Sequence, residues 1–515
     1  KKFVLDNGLT VLIHEDHKAP VVAVNIWYHV GSKNEKPGKT GFAHLFEHLM
    51  FNGSEHHKTD YFKAVDKIGA TDMNGTTSND RTNYFETVPI SAFDQVLWLE
   101  SDRMGYMVNA IDQKTLDEQR GVVQNEKRQG ENTPYGRTED AICKATYPAG
   151  HPYSWTVIGS MDDLNAASLD DVKEWFKTYY GPNNAVLVVA GDVKTEEALE
   201  KVKKYFGGLQ AGPPVTKFTS WPAKRIGTQR EVMQDRVPQS RLYMVWNMPE
   251  DGSKDANMLD IASSVLAGGK TSRLYKRLVY TDQIASNVYA WAGTNEIGGQ
   301  FEIVASAKPG VELSKIEAVI NEEMEKFLKE GPTEQEMEKV KAKTYSYFVQ
   351  GFERVGGFGG KSDILATYQT YHNNPDYYKV VLQQQMDATP ADVKKVANEW
   401  LTDGVYILNV VPFTDPKPTT ADADRSKLPE LNTPPTPTFP SFQRATLSNG
   451  LNIILAERHA IPALNMELQF NAGTAADILA KPGTAKLFGS VLDEGTKSRS
   501  SMEISEQMEM LGSSM

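Results

Sequence analysis

Two histidines and a glutamate lie together in one apolar stretch, His44-Leu45-Phe46-Glu47-His48. Residues four apart lie on the same side of an α-helix, so this stretch would present two imidazoles to one point. Imidazole is a preferred zinc ligand, and Glu47 could reach a metal-bound water without binding the metal. The order H-x-x-E-H is a signature of zinc hydrolases. The pattern predicts a zinc site, because the alternative, a core helix with incidental histidines, needs three residues in register in a chain with only 10 histidines.

A catalytic zinc usually takes a third protein ligand. Cys143 is the only cysteine, and nothing around it resembles a metal motif, so a buried structural thiol is the better interpretation. The better candidate is Glu126, in a predicted helix that places it on one side with Val122 and Val123. An unpaired carboxylate on an apolar face is costly, and a metal would relieve that cost. A salt bridge to a neighbouring Lys or Arg is the commoner arrangement and remains the alternative.

The spacing of these residues resembles that of the pitrilysin/insulinase family of zinc metallopeptidases, with Glu126 in the family's V-x-x-E context. The resemblance implies that His44, His48 and Glu126 bind one Zn²⁺ per chain and that Glu47 is the general base. The family often carries a second acidic residue seven positions before the ligand glutamate. This chain has a glutamine there, Gln119, and its neighbour Glu118 is a candidate accessory acid.

The resemblance extends from residue 3 to the end of the chain. Asn74-Gly75-Thr76-Thr77 matches the family's N-A-x-T edge strand, with Gly75 in place of alanine. Further matches are Asp80-Arg81-Thr82-Asn83-Tyr84, His151-Pro152-Tyr153 and Tyr180-Gly181-Pro182-Asn183-Asn184. Because strand addition at a sheet edge binds peptide backbone, we expect Asn74, Gly75, Thr76 and Thr77 to bind substrate.

Composition places the chain among ordinary globular proteins, with 515 residues, 40% hydrophobic and 24% charged. A net charge of −12 argues against a nucleic-acid binder, which needs a basic surface. No run of about 18 apolar residues occurs, so no transmembrane segment is expected. The chain begins at Lys1, directly before a strand-like segment, which fits a processed, exported protein or a trimmed chain. Together with the resemblance to the long bacterial members of the family, this start implies a periplasmic or secreted location.

An internal repeat at an offset of 442 residues links residues 3–13 to residues 445–455. Both copies carry Asn-Gly between apolar runs, which predicts a hairpin turn. In the second copy the three metal-site residues of the first motif are replaced, by Lys486, Gly489 and Ser490. The second copy is therefore predicted to keep the scaffold without the chemistry. It stops at Met515, where the first copy has only reached Asp72, so we expect a fragment of a protein of roughly twice this length.

Hydrophobic periodicity predicts αβ units, and the resemblance implies an α+β fold of repeated domains, each a mixed, largely antiparallel sheet covered by helices, with two related domains per half. The predicted organisation is a zinc-binding domain at 1–210, a linker at 211–227, a related domain without metal at 228–413, a Pro-rich linker at 414–442 and an incomplete third copy at 443–515. Strands are predicted near 2–14, 20–30, 74–88, 184–191, 241–246, 301–307 and 406–411. Helices are predicted near 40–52, 58–68, 91–107, 112–130, 313–329 and 334–350.

The predicted function is a zinc-dependent endopeptidase acting on oligopeptides or unfolded polypeptides. At the family's positions for an Arg–Tyr pair that helps hold the substrate carbonyl, this chain has Val279 and Ser286. The resemblance therefore implies that the missing remainder of the second half, or a partner subunit, supplies that pair. A non-catalytic peptide-binding or assembly subunit remains the main alternative, and a zinc-dependent amidase or esterase of small molecules is a further one.

Overall fold

The computed structural model describes residues 1–413, 441–457, 464–479 and 481–513, whose strands form three sheets. The strands are β1 (Lys2–Val4), β2 (Thr10–Glu15), β3 (Val21–Tyr28), β4 (Thr71–Thr77), β5 (Thr82–Pro89), β6 (Ala185–Gly191), β7 (Gln229–Asp235), β8 (Arg241–Met248), β9 (Ala285–Asn295), β10 (Gly298–Ala307), β11 (Tyr406–Pro412), β12 (Gln443–Thr446) and β13 (Asn452–Leu455).

The α-helices are α1 (Phe42–Leu49), α2 (Tyr61–Lys67), α3 (Phe93–Tyr106), α4 (Gln113–Asn132), α5 (Thr138–Thr146), α6 (Met161–Ala166), α7 (Leu169–Tyr179), α8 (Thr195–Phe206), α9 (Lys254–Ala267), α10 (Arg273–Tyr275), α11 (Leu313–Glu330), α12 (Glu334–Gly351), α13 (Lys361–His372), α14 (Tyr377–Asp387), α15 (Pro390–Trp400), α16 (Thr484–Ser490) and α17 (Ser501–Met510). Helix α10 continues as a π-helix over Lys276–Thr281. Among the described residues, no helix combines the length and the apolar character needed to cross a membrane.

The first sheet has six strands in the order β1-β2-β6-β3-β5-β4. Its neighbouring pairs are antiparallel except β2 and β6, which run parallel. Strand β6 is buried along its whole length and carries no polar side chain, as expected of a strand covered on both faces. On one face, the core joins Val24 and Ile26 of β3 to Leu45 and Phe46 of α1. The predicted zinc helix is therefore embedded in the core of the first sheet.

The second sheet repeats this arrangement with strands from residues 229–412. Its order is β7-β11-β8-β10-β9, and again one pair, β7 and β11, is parallel while the others are antiparallel. Without β1, the first sheet has the same pattern of neighbours and directions. The predicted fold class, α+β with repeated, largely antiparallel sheets covered by helices, is confirmed.

The two sheets exchange covering helices. Helix α13, which follows most of the second sheet in the chain, packs on β6 and β3 of the first sheet, where Ala366 meets Trp27 and Val186. Helix α5, which lies between strands of the first sheet in the chain, packs on β8 and β11 of the second, where Ile142 meets Val245. Each sheet therefore has one face covered by a helix of the other unit.

The repeat in the sequence corresponds to repeated local structure. The β12–β13 hairpin has the register of β1–β2 shifted by 442 residues: Lys2 pairs with Leu12, and Arg444 pairs with Ile454. Helix α16 matches α1 at the same offset. Its apolar residues Leu487 and Phe488 are 66% and 63% exposed, whereas their counterparts in α1 are fully buried. Apart from residues 441–442, the predicted linker at 414–442 lies outside the described residues.

Candidate metal centre

Helix α1 is fixed in the core at its first turn. It begins after Gly41, whose φ of +83° is a left-handed conformation that favours glycine. The buried carboxylate of Glu35 accepts hydrogen bonds from the backbone N–H groups of Gly41 at 3.1 Å and Ala43 at 2.7 Å. Burial raises the pKa of Glu35 to about 8, and these N–H groups act in the opposite direction. Because Glu35 satisfies donors at the helix start, it holds the orientation in which α1 enters the core.

The three predicted ligands lie together. One ligand atom from each of His44, His48 and Glu126 falls within 4.8 Å of the others, and no other group of three His, Cys, Asp or Glu side chains in the described part of the chain is placed in this way. Oε2 of Glu126 is 3.4 Å from Nε2 of His48 and 3.9 Å from Nε2 of His44. Tetrahedral zinc with bonds near 2.0–2.1 Å holds its ligand atoms about 3.3 Å apart, so the donor set fits the metal.

The environment of the two imidazoles favours the form that binds metal. Burial, together with the charge of the nearby His48, lowers the pKa of His44 to about 4. Burial also lowers the pKa of His48. The two rings stand nearly perpendicular, with centroids 4.9 Å apart. Both histidines are therefore held as neutral bases, and neutral imidazole is the ligand form.

The position of Glu126 on its helix differs from the sequence argument. That argument placed Glu126 on an apolar face with Val122 and Val123. In the structure only Val123 is buried, and the side chains of Val122 and Glu126 are 47% and 52% exposed. The premise was wrong, because α4 buries only a narrow stripe of side chains and the half-exposed Glu126 lies toward His44 and His48 of α1. Its proximity to the histidines nevertheless agrees with the predicted ligand set.

Glu47 lies next to this cluster but outside it. Its side chain is buried, and Oε2 accepts a hydrogen bond from the Thr77 hydroxyl at 2.5 Å. Burial raises the pKa of Glu47 to about 7, while the hydrogen bond from Thr77 and the charge of Arg81 lower it. A carboxylate of this kind can accept a proton near neutral pH.

The predicted substrate strand borders the site. Strand β4 is at the edge of the first sheet and contacts α1, so one side of its backbone has no partner among the described strands. Thr77 points to Glu47, whereas the Thr76 hydroxyl donates to Asn83 on β5. The Asn74 side chain accepts a hydrogen bond from the N–H of Gly75 at 2.9 Å. All four predicted residues thus lie on one unpaired edge beside the candidate metal centre.

The structure gives no support to the accessory role predicted for Glu118. Its side chain is 60% exposed and pairs with Lys114 one turn away on the same helix. Gln119 is the residue that lies beside the His48 imidazole, and its amide donates to Asn52 Oδ1 at 3.2 Å. The helix turns its residues by about 100° each, so a shift of one position cannot preserve the direction of the side chain.

Other chemistry-bearing residues lie away from the cluster. Burial raises the pKa of Cys143 to about 12, which leaves it an inert thiol on α5. His56 pairs with Asp102 rather than with a second histidine. The sequence argument missed Glu35. A signal was available, because Asp477 occupies the same position in the repeat and accepts the N–H groups of Gly483 and Ala485 in the same way.

Comparison with protein families matches most of the chain in two parts. Residues 10–156 match the model described as Insulinase (Peptidase family M16), and residues 166–344 match the model described as Peptidase M16 inactive domain. Zinc protease PqqE of Helicobacter pylori is 30% identical over 408 residues, which is 78% of this chain and 89% of the relative. The uncharacterized zinc protease YmxG of Bacillus subtilis is 24% identical over 369 residues, 71% of this chain and 88% of the relative.

Solved structures show the same fold. The crystal structure of a protease from Helicobacter pylori has a TM-score of 0.74 and 28% identity, covering 80% of this chain and 99% of that chain. The first half of the periplasmic protease PqqL from Escherichia coli has a TM-score of 0.66 and 20% identity, covering 80% of this chain and 91% of that chain. The similarity therefore includes both sheets and the helices between them.

Proposed function

Because the chain belongs to the insulinase family of peptidases, family M16, we propose that it is a zinc-dependent endopeptidase that cleaves oligopeptides or unfolded polypeptides. The observation that carries the proposal is that three ligand atoms, a buried carboxylate and the edge strand β4 lie next to one another. Binding alone would not need the carboxylate, and a structural zinc site would have a fourth protein ligand.

The donor set is suited to one Zn²⁺ per chain. His44, His48 and Glu126 would hold the ion, which supplies Lewis-acid polarisation and lowers the pKa of a bound water. Three ligands leave a coordination position open, as catalytic sites require.

Glu47 is proposed as the general base. Its Oε2 is fixed by Thr77, so Oε1 is left to accept the proton of the attacking water. After attack on the peptide carbonyl, the same carboxyl group can deliver that proton to the leaving amine. One residue can serve both steps because its raised pKa lies near neutral pH.

The peptide is proposed to lie as an added strand along β4. Along the free edge of β4, alternate residues direct their backbone N–H and C=O groups outward, and hydrogen bonds to such groups recognise extended backbone with little demand on side chains. This favours extended or unfolded substrates over folded proteins. An exported location stays a prediction from the sequence.

The alternative, a non-catalytic binding or assembly subunit, is less well supported. The model named for an inactive domain matches residues 166–344 and includes neither the histidines nor Glu126. Those residues lie in the part matched by the insulinase model.

Zinc analysis and peptide cleavage test the proposal together. The chain, Glu47→Gln and the control Glu118→Gln would be measured for bound zinc and for cleavage of a quenched-fluorescence peptide library. We expect about one zinc per chain in all three, wild-type cleavage in the control, and cleavage reduced at least about 100-fold in Glu47→Gln. Chelation should abolish cleavage, and added Zn²⁺ should restore it. Absence of zinc would reject the site, and bound zinc without cleavage in any protein would point to a missing half of the protein or to the binding role.

A further inference from the structure

Helix α4 carries Glu126 and buries only a narrow stripe of side chains against its own domain. Of its residues, Leu116, Val123 and Lys127 are the buried ones. Its first half is fastened by Arg120, which donates to the carbonyl groups of Leu164 at 3.0 Å and Ala167 at 2.6 Å. Beyond Val123, the Gln124 amide donates to Oδ1 of Asn165 at 2.7 Å, and, apart from Glu126 itself, no later side chain of α4 makes such a contact with the first domain in the described structure. The position of Glu126 therefore depends on what holds the far end of the helix.

The far end runs into a tight corner between α4 and α5. Tyr135 has a φ of +66°, which non-glycine residues adopt only when their surroundings impose it. At Gly136, a Cβ atom would lie 1.9 Å from the carbonyl oxygen of Gly130, so the chain has no room for a side chain there. The backbone of this corner therefore has little conformational freedom, and contacts with residues outside the corner must stabilise its conformation.

The second sheet supplies this support. The backbone N–H of Tyr135 donates to Oδ2 of the buried Asp235 at 3.1 Å, and its hydroxyl donates to the carbonyl oxygen of Gln239 at 2.7 Å. The guanidinium of Arg241 lies 3.5 Å from the centre of the Tyr135 ring. Arg137 adds hydrogen bonds to the Gln234 carbonyl and to Asp235. The corner is thus clamped on three sides by β7, β8 and the turn between them.

We propose that Tyr135 is a positioning residue for Glu126, through which the second, metal-free domain sets the geometry of the metal centre in the first. Helix α4 ends at Asn132, about 9 Å along the axis from Glu126, and a helix transmits a fixed end over that distance. Glu126 then lies between contacts on both sides, from Arg120 and Gln124 before it and from Tyr135 after it. This inference rests on the proposed function, because it takes Glu126 as a zinc ligand.

A double-mutant cycle on zinc affinity tests the inference. The Kd for Zn²⁺ would be measured by competition with a chelator for the wild type, Tyr135→Ala, Glu126→Gln and the double variant. Residues that orient a metal ligand change affinity about 10- to 100-fold, and we expect a loss of about 10-fold for Tyr135→Ala. In the Glu126→Gln background the same change should have almost no further effect, because the ligand it positions is gone. The visible spectrum of the Co²⁺-loaded protein should change in Tyr135→Ala as well.

The control is Tyr345→Ala, since Tyr345 is 51% exposed on α12, away from the corner. It should leave the Kd unchanged. If Tyr135→Ala does not fold, Asp235→Ala removes the acceptor from the other domain and should give the same pattern. An equal loss of affinity in both backgrounds, or no loss in the wild-type background, would overturn the inference. A normal Kd for Glu126→Gln would instead reject the proposed ligand set, and with it the proposed function.

Discussion

The Thr77 hydroxyl donates a 2.5 Å hydrogen bond to Oε2 of Glu47, which joins the edge strand β4 to helix α1, the proposed zinc helix. The strand proposed to bind the peptide therefore also orients the proposed base. A peptide added along β4 would meet a carboxylate whose direction is already fixed, so less ordering is left for the reaction itself.

Removing this donor should lower turnover. In Thr77→Val the carboxylate loses a hydrogen bond to a charged group, worth about 1.5–3 kcal/mol, so kcat should fall roughly 10- to 100-fold. Zinc content should stay at the wild-type value, since Thr77 is not a ligand. Steady-state kinetics on a peptide substrate would show the effect. Thr71→Val, at the exposed start of the same strand, is the matched control and should retain wild-type kcat. Equal losses in both variants would contradict the orienting role.

A carboxylate at position 119 should tighten zinc binding. Gln119 lies beside the His48 imidazole, and an acidic partner on a ligand histidine raises its basicity. We expect Gln119→Glu to lower the Kd for Zn²⁺ by about 10-fold in chelator competition. Glu118→Gln, on the neighbouring exposed position, should leave the Kd unchanged. A weaker Kd in Gln119→Glu would show that the amide hydrogen bond to Asn52 matters more than the charge.

An ion pair between the two domains should make the free energy of unfolding depend on pH. Oε2 of Glu296, in the turn between β9 and β10, contacts His29 and Lys33 of the first domain. Burial alone would raise the pKa of Glu296, but the hydrogen bond from His29 and the charge of Lys33 lower it to about 2. Since the pKa is lower in the folded state, the pair stabilises the fold fully above about pH 5, and the contribution is lost as pH falls toward 2.

Glu296→Gln should therefore lower the free energy of unfolding at pH 7, by on the order of 3 kcal/mol. The difference from wild type should shrink as the pH falls below 4, which denaturant titrations at pH 7, 5 and 3 would reveal. Glu196→Gln removes a solvent-exposed partner of Lys1 and should have almost no effect at any of these values. If the difference in the free energy of unfolding between Glu296→Gln and wild type stays constant with pH, Glu296 acts through packing rather than charge.

Alanine at position 75, the usual residue of the family, should destabilise this chain. A Cβ there would lie 2.7 Å from the Phe51 ring, which is stacked on Phe62 with centroids 4.3 Å apart and cannot move freely. Overpacking of this kind costs about 1–3 kcal/mol, so Gly75→Ala should lower the thermal midpoint. Gly121→Ala, with open space around it on α4, should raise it slightly. If Gly75→Ala remains destabilising in a Phe51→Leu background, the contact with Phe51 is not the cause.

Elements with strong periodicity were predictable from the sequence. The bounds of α1, α11, α12 and β6 differ by a few residues at most from those expected, because burial forces apolar side chains to repeat at the helical or strand period. Strand β7 was not predicted: Gln229–Asp235 is mostly exposed and lacks alternation, and it forms because β11 offers a parallel partner about 180 residues later. Pairing between distant segments leaves no local pattern.

The candidate site, like the fold, was predictable from the sequence only in part. Their spacing alone predicted that His44, Glu47 and His48 lie close together, since they fall within about one turn of a helix. The meeting with Glu126 needed the family resemblance, because nothing in the sequence states the angle between α1 and α4. The contacts of Tyr135 with the second sheet could not be predicted from the sequence. Tyr135, whose backbone is left-handed, and the carbonyl group that its hydroxyl contacts lie more than 100 residues apart in the chain.

In each of the first two sheets, the strand that comes last in the chain lies in the interior of the sheet: β6 lies between β2 and β3, and β11 lies between β7 and β8. On a ribosome, the first sheet thus cannot close until residue 191 has emerged, although the histidines were made some 140 residues earlier. Until then α1 has only half of its sheet to pack against, and its apolar side is open to chaperones or to aggregation. Folding of this protein should therefore proceed in late, discrete steps rather than in the order of synthesis, and the metal centre is a product of the first closure.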